Sequence, residues 1–274
     1  MNDCHIKVKK NNLVLGSSGF VGRVFCDYLR SCGELVIPFD IAESDMMDAR
    51  SAILPLGDVD RVYFLAWEVG GAKYLYQDSV QQFQLEWNLQ LMQNVMPQLH
   101  DKNIPFLFIS SQLAEETDTA YGVTKRLGEV WTHILGGVRV RLWNVYGGYE
   151  TVNDRSHVVS DFVWQALETG RIEMITTGEE RRQFIHINDV CKGFHAAMNS
   201  GSNEICDITS FKWVSVHDIA NKIASIIGNV EVIPGDKIGR TPITPIKGRL
   251  TGWQPEVSLH DGLEKMISKY KASQ

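Results

Sequence analysis

One stretch, Leu13-Val14-Leu15-Gly16-Ser17-Ser18-Gly19-Phe20-Val21-Gly22, constrains this chain more than any other. An apolar strand running straight into glycines spaced G-x-x-G-x-x-G must turn sharply, and that turn prepares a backbone for a pyrophosphate. Gly16 permits the exit from the strand, Gly19 removes a side chain where phosphate approaches, and Gly22 lets the next helix lie close to the sheet. The N-terminus of that helix offers free N–H groups to an anion. A second apolar run, Glu34-Leu35-Val36-Ile37-Pro38-Phe39-Asp40, ends on an acid at the distance where a carboxylate hydrogen-bonds the adenosine ribose 2′-hydroxyl of a dinucleotide.

The length, 274 residues with 44% hydrophobic content, suits one large α/β domain or two intimate ones. Met1 to Lys10 is polar and basic, and no later run approaches the ~18 apolar residues of a membrane helix, so a cytoplasmic protein with no membrane partner is expected. The five cysteines (Cys4, Cys26, Cys32, Cys191, Cys206) form no C-x-x-C pair and show no metal spacing with histidine. Reduced thiols and no metal site are expected. A net charge of −6 without long basic runs argues against nucleic acid and still allows a local basic pocket for a phosphorylated ligand.

The pattern along the chain alternates β and α. A helix is expected over residues 19–32, a strand closing at Asp40, a short crossover helix opening at Asp45-Met46-Met47-Asp48, and a buried strand over 58–67 that leaves the sheet at small Ala66. The helix expected over 79–100 repeats Phe83, Trp87, Leu91 and Val95 at i+4; core packing and an oligomer contact explain that stripe equally. The strand over 104–111 delivers Ser110 and Ser111 at its C-terminal end, the edge where parallel sheets bind ligands. Tyr121-Gly122-Val123-Thr124-Lys125 then opens a helix, with Tyr121 and Lys125 on one face. A lysine ammonium and a cationic nicotinamide both favour the phenolate of such a tyrosine, and Ser111 can share the same substrate oxygen.

With these residues in place, the chain resembles the extended short-chain dehydrogenase/reductases, the NAD-dependent epimerase/dehydratase family that acts on nucleotide sugars. The resemblance implies an α/β fold, a Rossmann-type doubly wound parallel sheet with a smaller C-terminal substrate-binding domain. Residues 1–146 would bind NAD with 187–209 returning to that domain, and 147–186 with 210–274 would hold substrate. Gly16, Ser18, Gly19, Phe20, Val21, Gly22 and Asp40 would cradle the cofactor, flanked by Leu65, Ala66 and Trp67. Asp45-Met46 resembles the adenine-contacting pair, and Ser111, Tyr121 and Lys125 match the catalytic triad, the last two also touching cofactor. Arg141-Leu142-Trp143-Asn144-Val145-Tyr146-Gly147 is similar to the R-x-x-N-V-Y-G strand end, implying Asn144 at the substrate phosphate and Trp143 near nicotinamide. Arg182-Gln183-Phe184-Ile185-His186-Ile187-Asn188-Asp189-Val190 is similar to R-D-F-I-H-V-D-D-V, implying that Arg182 grips the nucleotide diphosphate, a task suited to a guanidinium fork. Arg240 and Arg249 are further substrate-binding candidates in a tail, Pro234 to Gly252, expected to fold over the ligand. Gly252-Trp253-Gln254-Pro255 with Leu259, Gly262 and Leu263 resembles the closing L-G-W-x-P segment. A homodimer is expected, since in the resembling family the helices near 79–100 and 121–135 pair into a four-helix bundle; Trp87, Leu91 and Trp131 are its expected contacts.

Two departures bear on the reaction. Sugar-nucleotide 4,6-dehydratases carry an Asp-Glu pair after the catalytic hydroxyl, because elimination needs an acid and a base there, whereas this chain has Gln112-Leu113. Dehydration is disfavoured. The segment from Ser111 to Tyr121 is also shorter than is usual in the family. Val69-Gly70-Gly71 and Ser156-His157-Val158-Val159 resemble GDP-fucose-synthase-type reductases, but Gln112 stands where their epimerising cysteine would fall. His157 is a catalytic acid candidate or a solvated loop histidine. The expected activity is NAD-dependent nucleotide-sugar epimerisation through hydride transfer at C4; the alternative is an NAD(P)H-dependent 4-keto-6-deoxy-sugar nucleotide reductase. A non-catalytic dinucleotide-binding regulator would not need Ser111, Tyr121 and Lys125 together. Asp40, with no arginine directly behind it, favours NAD over NADP.

Overall fold

The computed structural model describes residues 9–242 and 244–272; Cys4 lies outside the described residues. In chain order the elements are β1 (Asn11–Leu15), α1 (Phe20–Ser31), β2 (Leu35–Phe39), β3 (Arg61–Phe64), α2 (Ala72–Leu75), α3 (Asp78–Lys102), β4 (Phe106–Ser111), α4 (Ala120–Ile134), β5 (Val138–Leu142) and β6 (Asn144–Tyr146). They continue with α5 (Val158–Thr169), β7 (Arg171–Glu173), β8 (Arg181–His186), α6 (Ile187–Ser200), β9 (Cys206–Ile208), β10 (Trp213–Ser215), α7 (Val216–Ile227), β11 (Glu231–Ile233) and α8 (Leu259–Ala272).

The expected doubly wound sheet is present, six parallel strands in the order β2-β1-β3-β4-β5-β9. The chain leaves β1 toward β2 and then returns to build outward from β3, so a crevice opens at the C-terminal ends of β1 and β3. Strand alternation splits the core. Leu13, Leu15, Phe64, Phe106 and Phe108 join one buried cluster with Leu91, Val95 and Leu99 of α3, while Val14, Tyr63, Leu107 and Ile109 join the other with Phe25 and Phe194 of α1 and α6.

Differences from the sequence pattern lie at element ends. The crossover helix expected at Asp45 is one 3-10 turn, Asp45–Met47, and the path to β3 is otherwise irregular. The third strand stops at Phe64, because Leu65 and Ala66 both donate their N–H groups to the Leu15 carbonyl instead of continuing the ladder.

A second core gathers Val159 and Phe162 of α5, Ile219 and Ile223 of α7, and Leu263 and Met266 of α8, against the sheet β10-β8-β6 and the pair β11-β7. The passage between the two bodies is abrupt. β5 pairs in the large sheet through Leu142, and β6 pairs with β8 from Asn144 onward, so Trp143 alone separates two sheets. Among the described residues no helix is long and apolar enough to cross a membrane.

Candidate active site

The crevice holds a cleft of about 420 Å³. At one end is the glycine turn. Gly16 has φ +86°, and a Cβ there would stand 2.5 Å from the Ala66 nitrogen; a Cβ on Gly22 would stand 1.9 Å from the Gly16 carbonyl oxygen. Neither position tolerates a side chain. Gly19, the N-cap of α1, has only the Gly16 oxygen at 3.4 Å near such a Cβ, so the space beside it belongs to the cleft and the helix end faces it uncapped by any side chain. That cradle fits a dinucleotide pyrophosphate. Asp40 lines the same end, its carboxylate accepting the backbone N–H of Ser18 at 3.0 Å and of Ala42 at 2.9 Å.

The middle of the cleft is floored by Ser111, Tyr121 and Lys125. Two glycines bring α4 close enough for this. A Cβ on Gly122 would lie 1.8 Å from the Glu116 carbonyl oxygen, and one on Gly128 would lie 2.3 Å from the Phe108 ring. The Lys125 ammonium donates to the Ile109 carbonyl at 2.6 Å and stands 4.0 Å over the Trp67 ring. Its distance from the Tyr121 ring centre is 5.8 Å. Burial pushes the Tyr121 phenol up to about 12, with the Ser111 hydrogen bond pulling the other way, and burial drives Lys125 well below the usual amine range against Glu129. Desolvation opposes the charged form of each group, and among the groups of this chain only the Ser111 hydrogen bond favours the Tyr121 phenolate.

The two serines divide. Ser110 turns away and donates to Glu129 at 2.7 Å, while Ser111 faces Tyr121. Glu129 receives a two-pronged contact from the fully buried Arg141, at 2.6 and 2.8 Å. Arg141 also reaches Glu115 at 2.7 Å, which Lys247 of the tail meets at 2.9 Å. These two cations hold the Glu115 carboxyl down at about 2. Thr244 adds a bond to the Gln112 carbonyl, and Pro242 lines the cleft, so the tail is strapped across its mouth.

At the far end are Trp143, Asn144 and Arg182, while His157 lines the wall beside Phe20 at the start of α1. Trp143 is fixed by its indole N–H to Asp207 at 2.8 Å, and Asn144 donates to the Gln183 carbonyl at 3.2 Å. Arg182 is half-buried, and burial lowers its pKa despite Glu180, Tyr76 and Glu116 nearby.

Several expected residues do not line the cleft. Ser18 contributes backbone to Asp40 while its hydroxyl donates to Glu43 at 2.6 Å. Asp45 and Met46 point elsewhere, Met46 being 86% exposed; Met47, Asp48 and Ala49 form that wall instead. Arg240 stands 3.7 Å from Glu116, and Arg249 lies over the Phe211 ring at 3.8 Å. Glu68 and Tyr76 line the cleft without having been singled out, since a lone acid and a lone tyrosine after a strand carry no pattern. Asp48-Ala49 repeats the acid-then-apolar pairing of Asp45-Met46 one turn on, and only the shape of the intervening turn separates them.

Comparison with known proteins agrees with this geometry. The profile of the NAD dependent epimerase/dehydratase family matches residues 12–208. UDP-glucuronic acid decarboxylase 1 of Xenopus tropicalis is 24% identical over 97% of this chain and 73% of its own length. UDP-glucose 4-epimerase of Thermotoga maritima, solved with UDP-glucose, superposes with a TM-score of 0.80 at 22% identity, over 96% of this chain and 99% of that one. MoeE5, solved with UDP-glucuronic acid and NAD, gives 0.73 at 20% identity over 96% and 100%. These structures share the fold.

Proposed function

This chain belongs to the NAD dependent epimerase/dehydratase family, and we propose that it acts on a nucleoside-diphosphate sugar, moving a hydride at C4 of the sugar with Tyr121 as the proton-exchanging residue. NAD supplies the hydride acceptor and donor when bound. Tyr121 takes the proton of the C4 hydroxyl as that carbon is oxidised and returns it when the ketone is reduced. Ser111 shares the same oxygen, and Lys125 holds the cofactor side of the floor. Arg182 and Asn144 bind the diphosphate end, leaving the sugar between Trp143 and Tyr121. The observation that carries this reading is the meeting of Ser111 and Tyr121 on the floor of a cleft whose other end is the glycine cradle. Gln112, unable to exchange a proton at carbon, leaves C4 oxidoreduction without elimination as the favoured chemistry.

A second reading, reduction of a 4-keto sugar nucleotide by free NADH, is favoured by one observation, the pairing of His157 with Glu150 on the cleft wall. The protein is incubated with a panel of nucleotide sugars and their 4-keto forms, products being followed by NMR. Interconversion at C4 with NAD retained through purification supports the epimerase; consumption of added NADH supports the reductase. No turnover of any member by cofactor-loaded protein would refute both. We also infer a homodimer, through the exposed apolar row Val123, Leu127, Val130 and Ile134 on α4 beside Leu85 on α3. Of the contacts expected from sequence, Leu91 is buried, Trp87 is half-buried under Arg50 at 3.4 Å, and Trp131 is half-buried against the core, so the open row of α4 offers the larger apolar face.

A further inference from the structure

We propose that Glu150 is a positioning residue, which holds the His157 imidazole with its proton on Nδ1 and leaves Nε2 free to take or give a proton at the cleft; this rests on the cleft being the reaction site. Glu150 is in the loop after β6, with its side chain 14% exposed. Each of its carboxylate oxygens meets His157, and the Ser160 side chain adds a lesser interaction. One accepts the His157 backbone N–H at 3.0 Å, and the other lies 2.8 Å from Nδ1. An ionised carboxylate only accepts, so Nδ1 must carry the proton. Burial disfavours the Glu150 charge, yet the His157 contacts prevail and hold its pKa below the usual value.

The loop is fixed from behind. The Tyr270 phenol of α8 donates to the Glu150 carbonyl at 2.8 Å and accepts the Glu150 N–H at 3.1 Å. On the cleft side the imidazole stacks on Phe20, with ring centres 5.4 Å apart and 26° between planes. Tautomer and ring plane are thus both set. The charges on adjoining elements are engaged with one another, Arg155 with Glu68 at 2.9 Å and Lys73 of α2 with Asp161 of α5 at 2.7 Å. A carboxylate serving only to cap the start of α5 would need one oxygen for the backbone N–H, not a second for the imidazole.

Glu150→Gln distinguishes these roles without changing shape. The backbone N–H of His157 can only donate, so it takes the single amide oxygen; the NH₂ group then faces Nδ1 and forces the ring proton onto Nε2. Side-chain ¹⁵N NMR on labelled protein, without substrate, is expected to show the Nδ1–H tautomer in the native protein and Nε2–H in Glu150→Gln. An Nε2–H native ring, or one tautomer in both, would overturn the proposal. On a 4-keto sugar nucleotide that the native protein reduces, Glu150→Gln and His157→Asn should each lower kcat about 10²-fold with KM little changed, and the double variant should fall no further. Full kcat in either single variant would also overturn it. Failure of the hydride-transfer reading would appear elsewhere, as undiminished turnover by Tyr121→Phe with the tautomers intact.

Discussion

The Asp40 carboxylate accepts the backbone N–H of Ser18 at 3.0 Å, fastening the acidic end of the second strand to the glycine turn. Glu43 adds a second carboxylate on the Ser18 hydroxyl. A 2′-phosphate would meet both charges, and like-charge contact costs several kcal/mol. NADH is expected to bind more tightly than NADPH by about tenfold or more, measured by fluorescence titration. Asp40→Ala should narrow that gap while weakening NADH itself, because the turn loses its anchor. Equal affinities in the native protein would refute the assignment of Asp40.

Tyr121→Phe should lower turnover by about 10²–10⁴-fold and leave cofactor and nucleotide-sugar affinities nearly intact, since only the proton-exchanging oxygen is removed. Stopped-flow hydride transfer and equilibrium titration separate the two effects.

Lys125→Met should behave differently. Cofactor affinity and rate should fall together, while the folded protein becomes at least as stable as the native one at neutral pH. The sign follows from burial: a lysine whose folded pKa lies well below 10.5 binds fewer protons folded than unfolded, so its charge costs stability below that window and the cost fades as pH rises toward 10.5. Thermal unfolding across pH should show the variant's advantage shrinking in that direction.

Glu115 titrates with the opposite consequence. Lys247 and Arg141 hold its carboxyl at about 2, against a usual 4.5, so its contribution is complete above pH 4.5 and is lost as pH falls toward 2. Glu115→Gln should be less stable than the native protein at pH 7, and the two unfolding curves should converge on acidification. A gap that persists at pH 2 would remove the Lys247 and Arg141 cations from the account.

Val123, Leu127, Val130 and Ile134 recur at helical spacing on one open face of α4. Leu127→Glu is expected to convert a dimer to a monomer by light scattering at micromolar concentration without loss of helix content. A native monomer would refute the interface.

Much of the sheet and the cleft floor was legible because the code is local. Gly16, Gly19 and Gly22 state a turn, the strand ending at Ser111 states an edge, and Tyr121 with Lys125 states a helix face. What escaped depends on distance along the chain. The pairing of Glu150 with His157 needs a loop shaped by Tyr270, and no spacing encodes that. The apolar row of α3 was open to two readings for a related reason: Trp87 and Leu91 have the periodicity of a core face and of a contact face alike, and only the fold puts the cleft and Arg50 on that side. Lys125 was placed correctly on its face, whereas its charge balance follows from how deeply the helix is buried.

The strap across the cleft joins residues far apart in synthesis: Lys247 to Glu115, Thr244 to Gln112, and the Lys247 and Gly248 backbone N–H groups to Asp207. A nascent chain that has emerged only through β9 carries the glycine turn, Ser111, Tyr121 and Lys125, but Glu115 lacks one of its two cations and Asp207 lacks its backbone donors. Closing such long loops is slow relative to local helix formation. Until Pro242, Thr244 and Lys247 dock, the cleft stands open on the side they cover, and a cofactor captured earlier would rest in a site lacking that wall.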